Sequence, residues 1–248
     1  MEKEKDEKMI IDEEKLNIER NLVESELYDS SIKVIILGDS YVGKSSLINR
    51  LINNKFVELS STLSIEYHTY IISINDYKIR MQLWDTAGQE KYNSIISNYY
   101  KGTDVAIFVY SIDKQETFEN IQMWFKHLKE NNEDSLNILI GNKLDMEKEG
   151  ARVVSYENAE NFARDNNFFL IREISCKSKE AYEIEDIYEV FDEIGKYFYE
   201  KSKDKDRNNN ADNADSISYK VSDSMRTLGE KHRIKKENEK NKKKVGCC

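Results

Sequence analysis

The stretch Gly38-Asp-Ser-Tyr-Val-Gly43-Lys44-Ser45 constrains this chain most. It lies between an apolar run, Ile32 to Leu37, and a segment carrying Leu47, Ile48, Leu51 and Ile52 at helical spacing. Strand, glycine-bounded turn and helix, in that order, make a cradle for phosphate. Main-chain N–H groups must come close to a polyphosphate, and glycines at both ends let the backbone turn tightly enough to do so. Lys44 then places a point charge on the outer phosphates, the Ser45 hydroxyl can ligate magnesium, and the helix aims its positive end inward. The bland alternative, a chance match in a chain rich in Lys and Ser, is opposed by the flanking strand and helix.

From Ser31 onward, strand-like and helix-like apolar patterns alternate. Strands are expected at about 32–37, 65–74, 77–84, 104–110, 136–141 and 168–174, and helices near 44–53, 116–130, 156–165 and 183–200. Asn75-Asp76 reads as a tight hairpin turn, so the strands around it are antiparallel. The remaining βα alternation implies a mostly parallel six-stranded sheet with helices on both faces, an α/β phosphate-loop nucleotidase fold that binds its ligand at the carboxyl ends of the strands. The motifs do follow strands: Trp84-Asp-Thr-Ala-Gly88-Gln89-Glu90, Asn142-Lys143-Leu-Asp145 and Ser175-Cys176-Lys177.

Composition bounds the rest. With 248 residues, 39% of them hydrophobic, the chain can build one core of ordinary domain size without needing two. The net charge of −9 argues against broad nucleic-acid binding, which needs a sustained basic face. The first 30 residues are acidic; scattered apolar residues at 9–27 make a helix plausible there, with an acidic, partly ordered extension as the alternative. Glu2 to Lys8 lack an apolar signal-peptide core, no 18-residue apolar run occurs, and Glu2 stands where myristoylation requires glycine. Past Lys201 the chain turns to Lys, Asp, Asn and Ser, so disorder is expected for 201–246. A Lys-rich cluster from Lys231 to Lys244 precedes Gly246-Cys247-Cys248.

With these motifs in order, the chain resembles the Ras-like small GTPases, and the Rab family most closely, over about residues 31–200 plus the paired cysteines. The resemblance implies a GTP/GDP site made by Gly38, Ser40, Tyr41, Val42, Gly43, Lys44, Ser45, Ser46, Phe56, Gly88, Asn142, Lys143, Asp145, Ser175, Cys176 and Lys177. A carboxylate at Asp145 accepts from guanine N1–H and the 2-amino group, donors that adenine cannot offer. Cys176 stands where the family has Ala; only its backbone N–H is needed for guanine, and a buried inert thiol is the expected state. Mg2+ is expected on Ser45, Thr62 and, through water, Asp85. Gln89 would orient the attacking water, with Lys44 and Thr62 completing the catalytic set.

Departures from the family pattern fall in two places. Thr62 comes one residue early when counted from Phe56, which points to a deletion within 57–61, and Ser64 replaces a glycine. Tyr41 puts a bulky side chain in the phosphate loop, where its ring must point outward. Tyr67, Trp84 and Tyr99 are the expected effector-facing cluster, whereas Trp124 reads as core. The resemblance further implies an exchange factor, a GTPase-activating protein, effectors, and prenyl-delivery and extraction chaperones. Geranylgeranyl groups on Cys247 and Cys248, with the basic tail, would hold a monomer on the cytoplasmic face of an endosomal or other vesicular membrane, cycling with cytosol. A GTP-loaded scaffold with negligible hydrolysis is the rival reading.

Overall fold

The computed structural model describes residues 16–20, 27–57, 65–86 and 99–208. Thr62, Ser64, Gly88, Gln89, the basic cluster, Cys247 and Cys248 lie outside them.

The elements in chain order are β1 (Ile18–Arg20), β2 (Ser30–Leu37), α1 (Lys44–Asn53), β3 (Glu66–Ile74), β4 (Tyr77–Asp85), β5 (Val105–Ser111) and α2 (Gln115–Glu119). They continue with α3 (Ile121–Lys129), β6 (Leu136–Asn142), α4 (Asp145–Lys148), α5 (Tyr156–Asp165), β7 (Leu170–Glu173) and α6 (Ala181–Asn208). They form one mixed sheet in the order β1-β3-β4-β2-β5-β6-β7. β2 pairs in parallel with β4 and β5, and β5, β6 and β7 continue in parallel. The hairpin β3–β4 is antiparallel, with Asn75 and Asp76 at φ 48° and 68°, the left-handed pair that a two-residue turn of this hand requires.

The middle strands read as continuous apolar runs because both faces are covered. Every residue of β5 is buried. On one face Val34, Ile36, Ile107 and Val109 join Leu47 and Leu51 of α1 and Ile187, Phe191 and Ile194 of α6. On the other, Ile35, Leu37, Phe108 and Tyr110 join Trp124 and Leu128 of α3 and Ala159 and Ala163 of α5.

Three expectations are corrected. The sheet has seven strands among the described residues, because Ile18–Arg20, inside the stretch where a helix was plausible, pairs with the outer edge of β3. Leu16 and Ile18 gain packing against the core, and an open strand edge gains main-chain partners, which an isolated acidic helix could not match. The helix expected at 116–130 breaks at Asn120, which closes α2 and opens α3. The last helix runs to Asn208, so Lys201–Asn208 are helical where disorder was expected. Lys203 lies 3.7 Å from Glu200, and propagation from an already packed helix adds one hydrogen bond per residue without a new nucleation cost, which offsets the weak propensity of the Ser, Asp and Asn positions.

Candidate functional site

All the described motifs meet at the carboxyl ends of β2, β4, β6 and β7. Gly38 leaves β2 at φ 139°, and a Cβ there would stand 2.2 Å from Val109 O, so only glycine allows the loop this close to β5. Gly43 sits at φ 98°; its Cβ would stand 2.2 Å from Asn142 Nδ2. That contact is where the phosphate loop meets the base loop. Tyr41 adopts φ 64° and is 66% exposed, so the ring does point out, at the strain cost of a non-glycine residue in the left-handed region, about 1–2 kcal/mol.

Lys44 begins α1 and is buried. Its Nζ donates to Gly38 O and Asp39 O, both at 2.8 Å, which bends the side chain back over the loop. Burial pulls its pKa down to about 8, opposed by the nearby Asp85 and Asp39 carboxylates. Asp85 ends β4 beside the loop. Burial raises its pKa, against the pull of the Ser45 hydroxyl and the Lys44 ammonium. Both its carboxylate oxygens are buried without a well-formed hydrogen bond. An under-satisfied buried carboxylate next to a hydroxyl is a donor set that suits a hard divalent cation.

Asn142 knots three loops together. Its Nδ2 donates to Val42 O at 2.8 Å, and its Oδ1 accepts from Lys143 N at 2.7 Å and Cys176 N at 3.3 Å. Lys143 takes φ 66°, and its Nζ lies 3.8 Å from Asp113 Oδ1; burial lowers its pKa. Ser175 Oγ donates to Asp145 Oδ1 at 2.5 Å, orienting that carboxylate. Phe56, Asp145 and Lys177 line one cleft of about 630 Å³. Tyr67, Trp84 and Tyr99 also come together, with ring centroids 5.3 Å apart at each step of the chain of three.

The sequence patterns missed the residues that brace these loops. Arg50, buried on α1, donates to Cys176 O at 3.0 and 2.7 Å and to Ser178 O at 3.0 Å, fixing the carbonyls of the Ser-Cys-Lys turn. Arg152 grips Glu173, at the end of β7, through two bonds of 2.7 Å, and donates to Val154 O at 2.9 Å. Asp39 accepts from Trp124 Nε1 at 2.9 Å and from Asn120 Nδ2 at 2.8 Å. A single arginine or tryptophan at no fixed distance from a motif gives no local signal in the sequence.

A phosphate loop on a parallel sheet, backed by an Asn-Lys-x-Asp turn and a Ser-Cys-Lys turn, defines a guanine-nucleotide-binding α/β protein. The family model described as "Ras family" matches residues 33–199. The chain is 36% identical over 228 residues to the Ras-related protein RABA1g of Arabidopsis thaliana, covering 89% of this chain and 95% of that one. It is also 36% identical over 227 residues to the Ras-related protein Rab11B of Nicotiana tabacum, covering 89% and 94%. Its identity to the GTP-binding protein ypt3 of Schizosaccharomyces pombe is 44% over 146 residues, covering 58% and 67%. The chain therefore belongs to the Ras family of small GTPases, in its Rab group.

Proposed function

We propose that this protein is a GTP-hydrolysing Rab switch that recruits effectors to a membrane of the vesicular system and releases them after hydrolysis. The observation that carries the reading is the knot at Asn142, which holds the phosphate loop, the Lys143 turn and the Cys176 turn in one frame. A ligand with both a polyphosphate and a base fits such a frame. In this reading Gly38, Ser40, Tyr41, Val42, Gly43, Lys44, Ser45 and Ser46 hold the phosphates. Asp145, Lys143, Ser175, Cys176, Lys177 and Phe56 hold guanine and ribose.

Mg2+ bound at Ser45, Thr62 and, through water, Asp85 would supply charge neutralisation between the outer phosphates. The chain's own residues do the rest. The Lys44 ammonium has three N–H groups, two of them held by loop carbonyls, so it meets an outer phosphate already oriented. Gln89 orients the water that attacks in line, and Gly88 gives its N–H to the terminal phosphate. No built-in arginine follows from the motifs, so a partner that supplies one would add roughly 10³ to 10⁵ in rate.

The Tyr67–Trp84–Tyr99 cluster is the proposed effector face, read by partners once the two proposed switches, Phe56 to Tyr67 and Lys91 to Tyr100, close on GTP. Residues 31–200 carry the switch domain, joined by the edge strand at 18–20 and the helix to Asn208; the rest of 1–30 is an acidic extension, and the chain beyond ends in a tail whose basic cluster and lipidated Cys247 and Cys248 give stable, reversible attachment. Exchange factor, activating protein, and prenyl-delivery and extraction chaperones are the remaining partners, and the proposed address is the cytoplasmic face of an endosomal or other vesicular membrane.

Single-turnover hydrolysis of bound GTP tests the enzyme. Wild type should convert GTP to GDP slowly, and Gln89→Leu should slow it at least tenfold without loss of nucleotide. Equal rates would remove Gln89 from the mechanism, and no hydrolysis by wild type would leave a GTP-loaded scaffold.

A further inference from the structure

Asp39 is the second residue of the phosphate loop, yet its side chain turns away from the ligand side and is buried, 8% exposed, against α3. Its two oxygens are divided between two donors from one helical region. Trp124 Nε1–H reaches Oδ1 at 2.9 Å, and Asn120 Nδ2–H reaches Oδ2 at 2.8 Å. Trp124 is fully buried, so its indole N–H has no solvent alternative. Asn120 is the residue at which α2 gives way to α3, with its own backbone still helical at φ −68° and ψ −16°. On the backbone side, Asp39 O accepts from Lys44 Nζ at 2.8 Å. One residue therefore links the break between two helices, the loop backbone and the phosphate-binding ammonium.

We infer that Asp39, held by Trp124 and Asn120, is a positioning residue that fixes the first turn of the phosphate loop and so the placement of Lys44. The inference rests on the proposed nucleotide site. Its logic is geometric: the loop's N–H groups point usefully only if its backbone is pinned, and Gly38 at φ 139° resists displacement at only one end. Asp39 pins the next residue from outside. Trp124 is thus more than filling in the core: its ring packs, and its one polar atom tethers the proposed phosphate loop from the side away from the ligand. Charge-assisted bonds of this kind are stronger than neutral ones, so the tether is not easily replaced by water.

The test separates phosphate placement from general stability. Trp124→Phe keeps a large buried ring and removes only the N–H. Nucleotide-free protein is titrated with GDP and, separately, with guanosine, which presents the base and sugar but no phosphate. Wild type that fails to bind GDP would defeat the nucleotide-site reading and with it this one. Given wild-type GDP binding, Trp124→Phe is expected to weaken GDP about fivefold to tenfold and to leave guanosine unchanged. Asp39→Ala should weaken GDP further, and adding Trp124→Phe to it should cause no additional loss, because the acceptor is already gone. Asn120→Ala, at a partly exposed position, repeats the measurement should the Trp124 variant fail to fold. Unchanged GDP affinity in the single variants, an equal loss for GDP and guanosine, or additive losses in the double variant would overturn the inference.

Discussion

At the scale of single residues, the site depends on buried groups whose charge state is set by their neighbours. Cys176 is wholly enclosed, and burial lifts its thiol from the usual 9.0 to about 12, against a small pull from Arg50. The folded protein thus holds this proton more firmly than the unfolded chain. That contribution to stability is present below about pH 9 and is lost as pH rises from 9 toward 12. Iodoacetamide at pH 8, followed by peptide mass mapping, should leave Cys176 unmodified in native protein and modify it after denaturation; prompt native labelling would contradict the burial. Arg152 is the converse case, a charge that needs its partner. Removing it strands the Glu173 carboxylate, which is 3% exposed, just before the Ser-Cys-Lys turn. Arg152→Ala should cost about 3 kcal/mol by urea unfolding, and Arg152→Lys should recover less than half of that, because an ammonium cannot make the paired contact.

At the scale of elements, the hairpin, the phosphate loop and the base-reading turns were legible because each is a local pattern with one physical cause. Asn75-Asp76 needs left-handed backbone, and Gly43 needs room beside Asn142. Residues 18–20 were not legible, since three residues carry no period and the reason for their strand lies elsewhere, on the edge of β3. There Ile18, Glu19 and Arg20 align with Ile74, Ser73 and Ile72, and Asn17 exchanges hydrogen bonds with Asn75. Arg20 then reaches past the sheet to α6. It donates to Asp192 at 2.5 and 3.0 Å and to Glu185 at 2.7 Å, and lies 5.1 Å from the centre of the Tyr188 ring. Burial pushes the Asp192 carboxyl upward, and the Arg20 guanidinium pulls it back. Arg20→Ala should speed amide exchange at Ile72–Ile74 and lower stability by about 1–3 kcal/mol, less than a fully enclosed pair because Arg20 is partly exposed. Exchange unchanged at those amides would show that β1 holds without its clamp. The break at Asn120 was hidden for a related reason: the apolar spacing of 116–130 continues through it, and the residue that makes use of the break is Asp39, some eighty positions away.

At the scale of the whole molecule, the sheet core, α1 and α6 pack as one body, and the segments proposed as switches adjoin β3 and β4, strands on one side of β2. Gly195 lets α6 lie tight on that side: a Cβ there would come within 3.0 Å of Ile74 Cδ1 and 3.3 Å of Ile72 Cδ1. The long final helix has a further, mechanical consequence. At about 1.5 Å per residue, the stretch from Lys201 to Asn208 carries the chain roughly 12 Å onward as a stiff rod before the last 40 residues begin. Anchored at Cys247 and Cys248 as proposed, those residues form a tether of at most about 140 Å at full stretch. Under that proposed anchoring, the distance between the domain and its bilayer would be bounded by that span together with the roughly 12 Å rod.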